Sequence, residues 1–519
     1  MKRWIWFLIC CILLSAAGAA VSETDGWGSS GPWQYVILED GTAQIFMYYG
    51  DESRVEVPAE IDGIPVTAIG RSAFDPDQGV IVEPDPRYLQ EFIDYLNSPR
   101  GVEAVILPEG VTTLMDGAFD QCTGLRSLTL PSTLTNFGEA LFDSCYVLSS
   151  IQVSPDHPYL EARDGVLFDR REDRLVCYAP GLEASSYQIP DGTKSIGKDA
   201  FRGAALSSVV IPDTVVSIEK GAFYDSALTS VRIPDSVTDL GGYVFSYCDR
   251  LESCDLPDHL TEIADNMFCD CKKLSAVTIP KDVTSIGSFA FCDCVSLREI
   301  NLPDNVRTIG ECAFLRCEGL TSFRIPKGVT AIQDSILMDC ENLSEIIFHD
   351  GVKSIGDSAF RGCRALTEVV IPESVGSLGN LAFFECDHLE KVSIPASVRK
   401  VGYNPFEDCK RLTSIQLPKG HPTLSVIDGV LYSMPDHRLI CFPLGLETET
   451  YEIPRGVRII GERAFTECQS LTSVVIPSSV TTIEALAFYG CDQLTLSVFS
   501  GSYAERYCEE KKLPYVVLK

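Results

Sequence analysis

Thiols are the groups in this sequence best suited to chemistry, and their spacing is regular. Of the 21 cysteines, Cys122 and Cys145, then every twenty-third residue from Cys248 to Cys409, then Cys468 and Cys491 share one phase. Two steps, Cys269-Asp270-Cys271 and Cys292-Asp293-Cys294, could look like a four-thiolate zinc site. A 23-residue period produces that spacing by itself, however, and one cysteine of each step then points inward, so no metal is expected. Abundant cysteine in an exported chain ordinarily implies disulfides. Ala204 and Ser226 occupy the same phase as the ladder cysteines, so the position asks for a small side chain rather than a thiol. The ladder therefore reads as buried free cysteines acting as small hydrophobes.

Other chemistries find less support. The six histidines, His157, His259, His349, His388, His421 and His437, are scattered. There is no Gly-x-Ser-x-Gly elbow, no His-Glu-x-x-His, no phosphate loop and no dinucleotide fingerprint. Asp75-Pro76-Asp77-Gln78-Gly79 has part of the spacing of a calcium loop but lacks its later acidic ligands, and reads as a turn. No catalytic residue, cofactor or metal is expected, and an enzyme is not the reading. A net charge of −31 argues against nucleic acid and anionic membrane surfaces as partners.

The elements that position these residues follow from a repeat. Pro234, Pro257, Pro280, Pro303 and Pro326 fall 23 apart, His349 takes the next slot, and Pro372, Pro395 and Pro418 continue. Within one unit Ile300 and Leu302 share a face of a short strand while Glu299 and Asn301 share the other, and Pro303 ends the ladder. Gly310 permits a tight turn. Ile309, Ala313, Cys317 and Leu320 then suit a short helical or 3₁₀ turn that lays Phe314 into the core. One such unit cannot bury its apolar face, but a stack can.

The predicted fold is thus a leucine-rich-repeat solenoid of the α/β repeat class, β-rich with short helical or 3₁₀ turns. It would carry a curved parallel sheet of about 17 repeats of 23 residues with caps at both ends. Residues 1–22 read as a secretory signal peptide, with Lys2 and Arg3 before an apolar run and Cys10 and Cys11 inside it. Residues 23–50 read as a linker and hairpin cap, from Gln34–Leu38 through a turn at Asp40-Gly41 to Thr42–Met47. The solenoid fills 51–499, and 500–519 forms a C-terminal cap with a helix over Tyr503–Lys511 and a strand over Tyr515–Leu518. No second apolar stretch reaches spanning length, so a secreted or cell-surface chain, with no membrane span, is expected.

Three interruptions stand out. Segments 154–190 and 418–454 are longer units related by a constant offset, with Asp164-Gly165 matching Asp428-Gly429 as hairpin turns. Their His157-Pro158 and His421-Pro422 pairs read as loop punctuation. An insertion at about 75–100 places Leu89, Phe92, Ile93 and Leu96 at helical spacing; it reads as a helix docked on the solenoid or as a partner-binding lobe.

The unit Leu-x-x-Val-x-Ile-Pro…Ile-Gly-x-x-Ala-Phe-x-x-Cys-x-x-Leu resembles the BspA-type leucine-rich repeat of bacterial cell-surface and secreted proteins, over roughly residues 34 to 519. The resemblance implies adhesion to host matrix proteins, coaggregation with other bacteria or host-receptor engagement. The expected function is a non-enzymatic extracellular scaffold that acts as a monomer and binds protein. Its outward strand positions, Arg232, Asp255, Glu299, Asn301, Arg324, Glu345, Glu368 and Lys391, would meet the partner. A glycan-binding or glycan-sensing role is the alternative; it predicts exposed aromatic rows, and these strand positions contain none.

Overall fold

The computed structural model describes residues 26–75 and 101–518. The signal-peptide reading and the insertion helix lie outside the described residues. The chain divides into two compact units, Met1–Ser185 with Gly192–Leu206, and Ser186–Asp191 with Ser207–Lys519.

In the first unit, an antiparallel meander of Trp27–Ser30, Trp33–Ile37 and Ala43–Tyr48 forms the cap. The expected hairpin is present, with one further strand before it. Asp40 organises the turn by accepting from both the Thr42 N–H and hydroxyl. Ala43–Tyr48 then pairs in parallel with Ile64–Ile69, which pairs with Thr113–Leu114. A second parallel column runs through Arg54–Glu56, Ala104–Ile106, Ser127–Leu130 and Ser150–Val153.

The second unit repeats this two-column plan. One column holds the expected strands, such as Ser230–Arg232 beside Ser253–Asp255 and Glu368–Val370 beside Lys391–Ser393. The other is made of two-residue strands the repeat pattern did not announce, such as Ser354–Ile355 between Ala331–Ile332 and Ser377–Leu378. In each pair the isoleucine or leucine is buried and its neighbour faces outward. Two residues are too few for alternation to show in a sequence.

Between the short strand and the next long one, the predicted helical or 3₁₀ segment is a run of turns. The one helix among the described residues is Tyr503–Lys511. Cys312 and Arg316 adopt φ of 54° and 55°, which breaks any helix. The N–H groups of Cys312, Phe314 and Arg316 donate instead to Asp334, Ile336 and Met338 in the next coil. Every backbone donor must find a partner, and here the neighbouring repeat supplies it. Gly310 has a different role from the one anticipated: a Cβ there would lie 2.4 Å from the Ser288 nitrogen of the preceding coil. The glycine is needed for close stacking.

Phe314 does enter the core. It is fully buried and stacks 5.2 Å from Phe291, continuing a pile through Phe223, Phe245 and Phe268. The C-terminal cap is as expected: Ser502 caps Tyr503–Lys511 by accepting from the Glu505 N–H, and Tyr515–Leu518 joins the sheet beside Thr495–Phe499.

Both long modules form hairpins. Asp164-Gly165 and Asp428-Gly429 all have positive φ, the geometry of a type I′ turn, between Leu160–Arg163 and Val166–Asp169, and between Leu424–Ile427 and Val430–Ser433. The two histidines do more than punctuate loops. His157 and His421 are buried; each Nδ1 accepts a backbone N–H, from Leu160 and Leu424, while each Nε2 donates to a carbonyl, Leu134 or Pro395. Neutral imidazole alone can do both, and burial lowers the His157 pKa.

Candidate functional site

The thiols resolve into two groups. Cys271, Cys294, Cys317 and Cys340 are fully buried, and each sulfur lies 3.0 to 3.2 Å from the carbonyl of a phenylalanine 26 residues earlier. That carbonyl already accepts from the turn N–H of its own coil, as Phe268 does from Cys271, so the thiol fills its second lone pair. The ladder cysteines are therefore free and, except for the partly exposed Cys491, buried as read from the sequence, and are weak donors as well as small hydrophobes. Burial pushes the thiol pKa of Cys271, Cys294 and Cys317 well up, which suppresses nucleophilic thiolate.

Cys269 and Cys292 hydrogen-bond to each other, while the Cys271 and Cys294 thiols turn to the carbonyls of Phe245 and Phe268. Among the described residues no group of three or more His, Cys, Asp or Glu is placed to hold a metal. Among the described residues nineteen cysteines are free, and of these only Cys269, Cys312 and Cys491 are partly exposed. A thiol reagent applied to the native chain is expected to label at most those three, and all nineteen after denaturation without reductant. Finding most thiols unreactive in the denatured chain would show the ladder to be disulfide-bonded.

The strand face of the second unit carries the predicted binding residues, with one change in their setting. Arg232 and Asp255 stand opposite each other in register and are exposed, as are Glu299, Asn301, Glu345 and Glu368. Glu299 and Asn301 face outward as expected, but the segment around them forms no strand, and the sheet lapses between Ala276–Val277 and Ser322–Arg324. A shallow groove crosses that lapse, lined by Glu252, Lys273, Ser275, Arg298, Glu299 and Thr321.

Two of the predicted cations are already engaged. The Lys391 ammonium lies 2.6 Å from Glu368. Arg324 lies 2.6 Å from Asp304 and donates to the Leu302 carbonyl. Hydrogen bonds from Arg324 and Lys327 hold the Asp304 carboxyl at about 2. Arg232, Asp255 and Glu345 have no side-chain partner among the described residues. Ile347 at 42% and Val370 at 61% exposure, which strand alternation also directs outward, stand in this face one repeat apart where polar residues are usual.

Exposed aromatic side chains do occur, away from the strands. In the turns, two columns of positions adopt the left-handed conformation coil after coil: Gly221, Tyr243, Asn266, Phe289, Cys312 and Ser335 in one, and Asp225, Tyr247, Asp270, Asp293 and Arg316 in the other. Such backbone favours glycine, asparagine and aspartate, and costs other residues about 1 kcal/mol. Tyr243, Tyr247 and Phe289 nevertheless hold these positions and are exposed. Lining up the repeats on their prolines would have shown aromatics where neighbouring units carry small or acidic residues.

The BspA type leucine rich repeat region matches residues 95–162, 177–294, 261–383, 332–428 and 440–507. No curated protein matches the chain. Among solved structures, a leucine rich cell surface protein from Faecalibacterium prausnitzii is similar at 24% identity, covering 77% of this chain and 97% of its own, with a TM-score of 0.42. A leucine-rich repeat protein from Bacteroides ovatus is similar at 21% identity, over 95% and 100% of the two chains, with a TM-score of 0.46. One from Eubacterium ventriosum gives 19%, 65%, 94% and 0.42. With the family pattern spread over most of its length, this chain belongs to the BspA-type leucine-rich repeat family.

Proposed function

We propose that the chain is a non-enzymatic extracellular scaffold that binds protein through the strand face of its second unit. The observation that carries the reading is the composition of that face. Exposed Ile347 and Val370 share their strands with Glu345 and Glu368, and Ile347 stands in register with Arg324, while Arg232 and Asp255 lie further along the same strand column; aliphatic contacts beside charge are the make-up of a protein interface. The partner would be a host matrix protein, a host receptor or a bacterial surface protein, met by a single copy of this chain. Its contact surface would carry basic groups, since the net charge of −31 favours a complementary patch. Secretion through the N-terminal signal segment belongs to the same proposal. No helix among the described residues is long and apolar enough to cross a membrane.

Pulldown from host-matrix and bacterial-surface extracts would supply the partner, and charge reversal would locate the site. Arg232→Glu is the cleaner variant, because Arg324→Glu also breaks the pairing with Asp304. Arg232→Glu is expected to weaken capture by roughly tenfold, the scale of one desolvated interfacial charge. Undiminished capture would place the interface elsewhere.

A further inference from the structure

We propose that the turn edge of the second unit is a separate binding site for a neutral β-linked glycan chain, with Tyr243, Tyr247 and Phe289 as its stacking platforms. The register that brings them together is explicit. Tyr243 donates its N–H to Asp265, Asn266 to Ser288, and Phe289 to Glu311; Tyr247 donates to Cys269, and Asp270 to Cys292. Tyr243, Asn266 and Phe289 are therefore consecutive rungs, and the backbones of Tyr243 and Phe289 stand about 10 Å apart at the usual spacing between strands. Tyr247 lies in the adjoining left-handed column with the Tyr224 ring 5.1 Å away. The Lys220 ammonium is 5.1 Å from the Tyr243 ring centre.

Three features select a sugar over other occupants. First, the rings form a short row with amide and carboxylate between them, not a continuous apolar patch. A pyranose whose hydroxyls are all equatorial offers bare C–H faces to aromatic rings and a rim of hydroxyls to polar groups. Second, the Asn266 side chain has no partner among the described residues, so its amide can both donate to and accept from hydroxyls. Third, the surplus of acidic residues opposes uronate- or sialate-rich chains, leaving neutral ones. Tyr247 and Phe289 are exposed at 46% and 37%, in a backbone conformation that bulky residues rarely adopt. Leu381 and Leu486 share that conformation further along but bring no ring, which makes them natural controls.

Affinity electrophoresis of the chain in gels containing barley β-glucan, neutral xylan, galactomannan or polygalacturonate tests the site. At least one neutral β-linked polysaccharide is expected to retard the chain and polygalacturonate is not. The triple variant Tyr243→Ala, Tyr247→Ala, Phe289→Ala should bind at least tenfold more weakly with an unchanged unfolding midpoint, while Leu381→Ala and Leu486→Ala should bind normally. No retardation by any neutral β-linked polymer, equal retardation by polygalacturonate, or full binding by the triple variant would each overturn the proposal. Failure here leaves the protein-binding face standing, because Arg232→Glu is expected to leave retardation intact and the triple variant to leave protein capture intact.

Discussion

Replacing Phe314 with alanine is expected to destabilise the second unit by about 3 to 5 kcal/mol, the range for truncating a buried phenylalanine. The ring is fully buried, lies parallel to Phe291 at 5.2 Å and meets Phe323 edge-on at 5.0 Å. Backbone ladders to the next coil run through this residue: the Phe314 N–H donates to Ile336, and its carbonyl accepts from the Cys317 N–H and the Cys340 thiol. Collapse into the vacated space would have to pull both neighbouring coils inward, which those ladders resist. Phe289→Ala, at an exposed turn position 25 residues earlier, is expected to change stability by less than about 0.5 kcal/mol. Denaturant unfolding of the two variants checks the pair, and similar losses for both would show that the phenylalanine pile is not what holds the coils together.

The second large effect lies at the long module of the second unit. Arg463 reaches back 56 residues to Glu407 at 2.9 Å, and the Asn404 amide donates to the Arg463 carbonyl. The Glu407 side chain is 2% exposed and that of Arg463 is 31%. Removing the arginine strands a buried carboxylate; for a wholly buried pair this costs 3 to 5 kcal/mol, and the partial exposure of Arg463 reduces it to roughly 2 to 3 kcal/mol. Burial already raises the Glu407 pKa above the ordinary 4.5, and losing Arg463 removes the charge that opposes the rise. A carboxyl whose folded pKa is raised favours the fold below its unfolded pKa and loses that advantage as pH climbs through the folded value. The deficit of Arg463→Ala should therefore grow between pH 5 and pH 7, and Glu407→Gln in the same chain should recover much of it. A pH-independent deficit, or no recovery, would show that Arg463 acts through packing alone. The first unit carries an equivalent pair, Asp143 with Arg202 at 2.8 Å, across its own long module.

These positions show where sequence carried the reading and where it stopped. The repeat period, Phe314 in the core, the type I′ turns at Asp164-Gly165 and Asp428-Gly429, and the terminal helix over Tyr503–Lys511 all follow from local signals: periodicity, turn chemistry and capping. The second strand column escaped because its strands are two residues long. The helical turn was over-read because a spacing of three to four residues also fits consecutive turns, and the left-handed backbone at Cys312 and Arg316 has no signature in those side chains. His157 and His421 looked like loop residues, since their burial depends on carbonyls at Leu134 and Pro395, 23 and 26 residues away. Of the candidate face, the outward direction of Arg232, Asp255, Glu345 and Glu368 was legible from alternation. The engagement of Arg324 by Asp304 and the lapse of the sheet at Glu299–Asn301 were not, because both depend on how one coil settles on the next.

The most direct test of the protein-binding reading is hydroxyl-radical footprinting of the chain with and without its captured partner. Ile347 and Val370 are exposed and oxidisable, and they lie in the proposed face. Binding is predicted to lower their oxidation while leaving Tyr489, exposed at 59% on the turn edge, unchanged. Unaltered oxidation of Ile347 and Val370 in the saturated complex, with protection appearing elsewhere, would contradict it.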